Sequence, residues 1–182
     1  MFFRTSADGN CLFNACSASL IGNESLAPYL RCLTSLELFM NPGYYAHHPL
    51  LAGHARQDSS IFSVSISSKA FDEYDRFDKI SAIKAEAKSI ANNFTFSSFD
   101  VMFALSSVVG MEIEAYYPIT NKEPVYEELF NCCIVPREAY QPSSEKIHIF
   151  RCRSATGYFV LTKELSSQVD HFVPLLQKNV KQ

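Results

Sequence analysis

The residues best suited to chemistry in this chain are a cysteine near its start and a histidine near its end. Cys11 follows the turn-forming run Asp8-Gly9-Asn10 and opens an apolar series, Leu12, Phe13, Cys16 and Leu20, at helical spacing. The pattern predicts a helix from Cys11 to about Gly22, with Asp8 or Asn10 available to cap it. A thiol in the first turn of a helix sits at the positive end of the macrodipole, which favours the nucleophilic thiolate. The glycine before it lets successive backbone N–H groups converge on one small space, where they can hold a developing oxyanion. Taken alone, a cysteine after a glycine turn is more often a small buried apolar residue. A functional reading therefore needs a partner. His171 opens the apolar, strand-like run Phe172 to Leu176. An imidazole titrates near neutral pH and can take a thiol proton across a hydrogen bond.

The other candidates are weaker. His47, His48 and His54 lie in a polar stretch and His148 in an alternating run, so each reads as a surface or structural residue. The remaining cysteines are Cys16, Cys32, Cys132, Cys133 and Cys152. None forms a CxxC pair, and the histidines are not spaced with them as zinc ligands, so no metal site is expected. Adjacent Cys132 and Cys133 alternate sides in an apolar run, which reads as strand packing. The chain is core-rich and its first residues carry no long apolar stretch. Free thiols in a reducing compartment fit better than a disulfide framework.

The elements that must position Cys11 and His171 follow from periodicity and punctuation. A second helix is predicted from Ser25, with Leu26, Leu30, Leu33, Leu36 and Phe39 on its apolar face and Asn41-Pro42-Gly43 as its stop. Residues 44–60 read as a loop rich in Tyr, His and Gly. Ile61 to Ser67 alternates and predicts a strand or exposed arm. A third helix is expected over about 79–92. A fourth should be capped by Ser97 or Ser98, carry Phe99, Met102, Phe103, Leu105 and Val109 on its apolar face, and end at Gly110. Strands are expected at 111–117, 130–135, 147–152 and 171–176, with a short one near Tyr158 to Leu161. Helices first and strands after predict an α+β, mixed α/β architecture.

The 182 residues, 47% hydrophobic and 19% charged, suit one folded domain over 1–182. No internal repeat is present. The net charge of −3 and the absence of a Lys/Arg run argue against nucleic acid as a partner. No apolar stretch approaches the ~18 residues of a membrane span.

Asp8-Gly9-Asn10-Cys11-Leu12-Phe13 resembles the nucleophile box of the ovarian-tumour (OTU) family of deubiquitinases, and Asp170-His171-Phe172-Val173-Pro174-Leu175 resembles its histidine box. The segment from Leu30 to Leu38 is similar to the helix that follows the nucleophile helix. Ala104 to Gly110, followed by Tyr116-Tyr117-Pro118, resembles the helix–strand unit before the histidine. The similarity is to divergent OTU-like domains of vertnin-type and invertebrate mobile-element proteins. It implies a papain-like cysteine peptidase with a small central β-sheet packed between helices. Cys11 would be the nucleophile and His171 the base. Backbone groups of Asp8, Gly9, Asn10 and Cys11 would form the oxyanion hole, with Asp8 shaping the turn. The implied activity is thiol-dependent isopeptide hydrolysis after the C-terminus of ubiquitin, with no metal or organic cofactor. The expected setting is a monomer inside the cell, cytoplasmic or nuclear, with ubiquitin or its chains as partner. Substrate contacts would come from Tyr44 to Ser60 and the arm Ile61 to Ser68.

In one place the chain departs from that family pattern. Many members carry Asp or Asn two residues after the histidine to orient its ring, and here that residue is Val173. No residue before Asp8 is acidic. Thr5 and Ser6 offer hydroxyls that can orient a ring without supplying charge. Strand alternation turns Asp170 to the opposite face from His171. Asp8 is assigned first to shaping the turn, and the alternative is that its carboxylate reaches the ring. A Cys–His pair tolerates the loss of an orienting acid better than a serine triad, because the thiol is itself acidic and nucleophilic. The alternative is an OTU scaffold that binds ubiquitin or another protein without turnover.

Overall fold

Six α-helices and a four-stranded sheet make up the described part of the computed structural model, which covers residues 5–6, 8–55, 78–117, 129–138, 145–152 and 171–175. The helices are α1 (Cys11–Ile21), α2 (Ala27–Met40), α3 (Pro42–Ala46), α4 (Pro49–Ala55), α5 (Lys79–Ile90) and α6 (Asp100–Val109). The strands are β1 (Ile113–Tyr116), β2 (Cys133–Ile134), β3 (Ile147–Cys152) and β4 (His171–Pro174). This is the expected α+β architecture. The arm expected from Ile61, the strand near Tyr158 to Leu161 and residue Asp170 lie outside the described residues.

The sheet runs in the order β2-β1-β3-β4. β1 pairs antiparallel with β2 and parallel with β3, and β3 pairs antiparallel with β4. His171 stands opposite Cys152 in that last ladder. The chain order of the strands therefore differs from their spatial order, and β4 is carried to the edge where α1 packs against it. Ile113, Ala115, Ile147, Ile149 and Phe172 bury one face of the sheet with α1 and α6 in a common core. Expected strand 130–135 contracts to Cys133–Ile134, because Leu129 and Phe130 form part of a helical turn and Phe130 packs edge-on against Phe99, ring centroids 4.6 Å apart.

Glycines end α1 and α6 as anticipated. Gly22 and Gly110 adopt φ of 77° and 66°, and their N–H groups bond the carbonyls of Ala18 and Ser106. Such left-handed C-caps favour glycine because no Cβ is in the way. The caps at the N-termini differ from expectation. Asn10 and Phe99 hold the capping positions of α1 and α6, and neither side chain bonds the helix.

Two further expectations are corrected. Of the loop expected over 44–60, residues 44–46 and 49–55 fall in α3 and α4, each opened by a proline whose missing N–H is harmless at the first helical position, and 56–60 lie outside the described residues. Tyr45 is buried there, its hydroxyl donating to Glu37 Oε1 at 2.7 Å, and the His48 ring stacks on Phe103 at 3.9 Å. Those contacts place Tyr45 and His48 in the core, not in an exposed substrate loop. The second correction concerns α2. Leu36 is 53% exposed, whereas the buried face runs through Leu30, Arg31, Thr34 and Leu38.

A buried acidic pair links α5 to α6. Ser98 Oγ lies 2.5 Å from Glu86 Oε1 and also bonds Asp100 Oδ1. A hydroxyl carries one hydrogen, so one of these two contacts needs a carboxyl that donates. Burial first, and then the Glu86 charge, holds the Asp100 carboxyl well above the usual carboxylate range. The folded state thus keeps a proton that the unfolded chain gives up at about pH 4. Stability from this source is full below that value and falls as pH rises toward the raised folded value. Asp100→Asn removes the titration while retaining a group that can bond Ser98. Between about pH 5 and about pH 8 the wild-type Tm should fall relative to the variant's, by about 2–4 °C for each kcal/mol involved. Parallel Tm–pH curves for the two proteins would contradict the shared proton.

Candidate active site

The turn before α1 is closed by its own side chains. The Asp8 carboxylate accepts from the Asn10 backbone N–H at 3.0 Å and from Asn10 Nδ2 at 3.2 Å. Aspartate commonly closes a turn on the amide two residues ahead. Gly9 has φ of 81°, and a Cβ added there would lie 2.2 Å from the Phe94 carbonyl oxygen. Only glycine fits, for both reasons. The Gly9 carbonyl accepts from Arg31 Nη2 at 2.7 Å. Asn10 was expected among the oxyanion donors, but its N–H is directed to Asp8 instead, because the Asx-type closure aims it inward.

Cys11 is the first residue of α1 and is buried, as is every residue from Cys11 to Ala18. α2, β3 and β4 all pack against this helix. The other buried thiols serve as a contrast. Burial pushes Cys16 up to about 12, and burial with neighbouring negative charge does the same for Cys132. Both stay protonated near neutral pH and are poor nucleophiles. Five of the six cysteines, Cys11, Cys16, Cys32, Cys132 and Cys133, are free thiols.

His171 opens β4 and is buried. Its Nε2 lies 3.0 Å from Thr5 Oγ1, and Thr5 Oγ1 is 2.7 Å from the Phe172 carbonyl. The carbonyl can only accept, so the single hydroxyl hydrogen of Thr5 goes to it. Thr5 must then accept from an Nε2–H, which leaves Nδ1 as the basic nitrogen of the neutral ring. Val173, where an orienting acid would stand, is buried on the same face of β4 as His171. A neutral hydroxyl from the start of the chain therefore occupies the second ring nitrogen. The Asp8 carboxylate oxygens both serve Asn10.

Two parts of the site gave no functional signal in the sequence. Arg31, only 2% exposed, bonds the carbonyls of Gly9, Ile90, Asn92 and Thr95 at 2.7 to 2.9 Å. Its one visible clue was an arginine in an otherwise apolar helical segment. Phe94 and Phe96 are 67% and 62% exposed, and the Phe94 backbone abuts Gly9. His48 and His148 are engaged elsewhere. Burial lowers His48 to about 4, which keeps it neutral, and His148 Nδ1 lies 3.0 Å from the Tyr116 hydroxyl. Among the described residues no group of His, Cys, Asp and Glu could hold a metal ion. No helix of the described residues is long and apolar enough to cross a membrane.

The family model for the vertnin OTU domain matches residues 3–151. That span includes the Asp8–Cys11 turn, Arg31 and the sheet through most of β3, and stops short of His171. A solved structure described as the OTUD1 OTU domain is similar over 97% of this chain and 85% of that chain, with 13% identity and a TM-score of 0.46. Comparison with curated protein sequences returned no match. The span of the family match, more than half of the chain, is decisive: the chain belongs to the vertnin OTU-domain family.

Proposed function

We propose that this domain is a cysteine isopeptidase that cleaves after the C-terminus of ubiquitin, with Cys11 as nucleophile and His171 as acid–base. The observation that carries the reading is the hydrogen bond between Thr5 and His171 Nε2, because it leaves Nδ1 to exchange a proton with a thiol. Nδ1 takes the Cys11 proton and the thiolate attacks the scissile carbonyl carbon. The first amides of a helix have no intrahelical acceptor, so the Cys11 N–H is assigned to the oxyanion, together with the Asp8 and Gly9 amides of the turn. His171 returns the proton to the lysine amine as the C–N bond breaks, leaving a thioester. A water then gives a proton to His171 and attacks the thioester, releasing the carboxylate and the thiol. Phe94, whose backbone abuts Gly9, and the nearby exposed Phe96 are assigned as apolar contacts for the extended tail of the acyl donor. Asp8 acts by shaping the turn.

A second reading, a ubiquitin-binding module without turnover, is favoured by one observation: the group that bonds His171 Nε2 is the neutral Thr5 hydroxyl, and Val173 stands where an orienting acid would. A ubiquitin carrying a C-terminal electrophile separates the two. Wild type should form a covalent adduct and Cys11→Ala should form none while keeping its fold. Measurable binding without an adduct in wild type would establish the module instead. Ring orientation has its own test. Thr5→Val should lower the turnover rate by about 10- to 100-fold, within the range of general acid–base effects, and Thr5→Ser should restore most of it. Equal rates in wild type and the valine variant would remove Thr5 from the mechanism.

A further inference from the structure

Arg31 lies directly beneath the nucleophile turn. Its guanidinium bonds the carbonyl of Gly9, two residues before Cys11, and its Cζ sits 4.6 Å from the ring centroid of Phe13, two residues after. The same group reaches Ile90, Asn92 and Thr95, so one buried cation joins the turn to the chain between α5 and α6. Its Nε has no hydrogen-bond partner among the described residues. A buried guanidinium stays charged. Every acceptor it bonds is a neutral carbonyl, so no hydrogen-bonded carboxylate cancels that charge.

From this geometry we infer that Arg31 is a positioning residue whose fixed positive charge holds Cys11 as the thiolate, doing from behind the nucleophile what an acid behind the histidine does in other members. The inference rests on Cys11 being the nucleophile. The charge layout supports it. An acidic orienter would stabilise an imidazolium, whereas neutral Thr5 does not, and a cation on the thiol side disfavours one further. The cation favours the thiolate whether the Cys11 proton rests on Nδ1 or has passed to solvent, and in the first case Nδ1 keeps the proton it returns to the amine. A negative charge on Cys11, and one on Asp8, also oppose the lowering of the Arg31 pKa by burial, so the cation and the thiolate favour each other.

Among the described residues, the charged and titratable groups on the elements packed around Cys11 can be named. Asp8 on the turn is bonded to Asn10, and His171 comes from β4. On β3, Arg151 stacks over Phe130 and Phe172 and His148 bonds Tyr116. From α5, which packs on α2, Glu86 is tied to Ser98.

The test is the pH profile of Cys11 alkylation by iodoacetamide, a neutral reagent that reads thiolate and needs no ubiquitin. Wild type should show a midpoint below the ordinary thiol value of about 8.5. Arg31→Gln should raise it by about one unit, a tenfold loss of rate well below the midpoint, while Arg31→Lys should hold it low. If Arg31→Gln does not fold, His171→Gln decides the matter with Arg31 intact. A midpoint that stays low without the histidine supports the inference. A midpoint at the free-thiol value in His171→Gln, or an unmoved midpoint in folded Arg31→Gln, overturns it. If the ubiquitin probe forms no adduct yet alkylation still depends on Arg31, the proposed substrate fails and the electrostatic role stands.

Discussion

The arrangement of the candidate site depends on where the Arg31 guanidinium goes. Taking a cation out of water costs several kcal/mol unless its donors are met. Here four carbonyls meet the Nη1 and Nη2 donors and leave Nε unmet among the described residues: Gly9 on the turn before α1, Ile90 at the end of α5, and Asn92 and Thr95 beyond it. The end of α5 is a favourable place for a cation, since its terminal carbonyls carry the negative end of the helix dipole. Two separate stretches of chain, the Gly9 turn and the segment from Ile90 to Thr95, are thereby held against one side chain of α2. The turn conformations follow from that convergence. Gly9 and Phe94 both take positive φ, and the Phe94 carbonyl occupies the space a side chain at position 9 would need.

The histidine is brought in from the other side of α1 by the sheet. Parallel pairing of β1 with β3, followed by antiparallel β3–β4, places β4 at an edge that α1 covers. His171 is then fixed by a residue from the start of the chain. Thr5 donates to the Phe172 backbone, and that commitment of its one hydrogen is what makes it an acceptor for the ring. A hydroxyl free to rotate would have orientated the ring less strictly. The site therefore combines a neutral partner for His171 with a permanent cation under the turn before Cys11, an inversion of the charge pattern that an acid-oriented histidine produces.

The buried acids belong to the same construction. Ser98 joins Glu86 to Asp100 at the opposite end of the loop that Arg31 holds, so the segment from Ala91 to Phe99 is pinned at both ends by buried polar contacts. Between those pins Phe94 and Phe96 face outward, and the Phe94 backbone abuts Gly9.

Much of this was legible locally. The Asp8–Cys11 turn, the start of α1 at Cys11 and the glycine ends of α1 and α6 follow from constraints within a few residues: left-handed φ, helix dipoles and apolar period. The family boxes named Cys11 and His171 from residue type and order. The buried face of α2 was not legible, since apolar period points Leu36 inward and Arg31 outward. Arg31 is buried because its acceptors lie about 60 residues away in sequence. α3 and α4 were hidden for a similar reason, as Tyr45 and His48 find their partners on α2 and α6. The sequence by itself determined which side chains are chemically able to act. Only the tertiary structure decided which of them meet, because the Thr5–His171 bond joins residues 166 positions apart, and a hydrogen bond depends on distances of a few tenths of an ångström that no local pattern encodes.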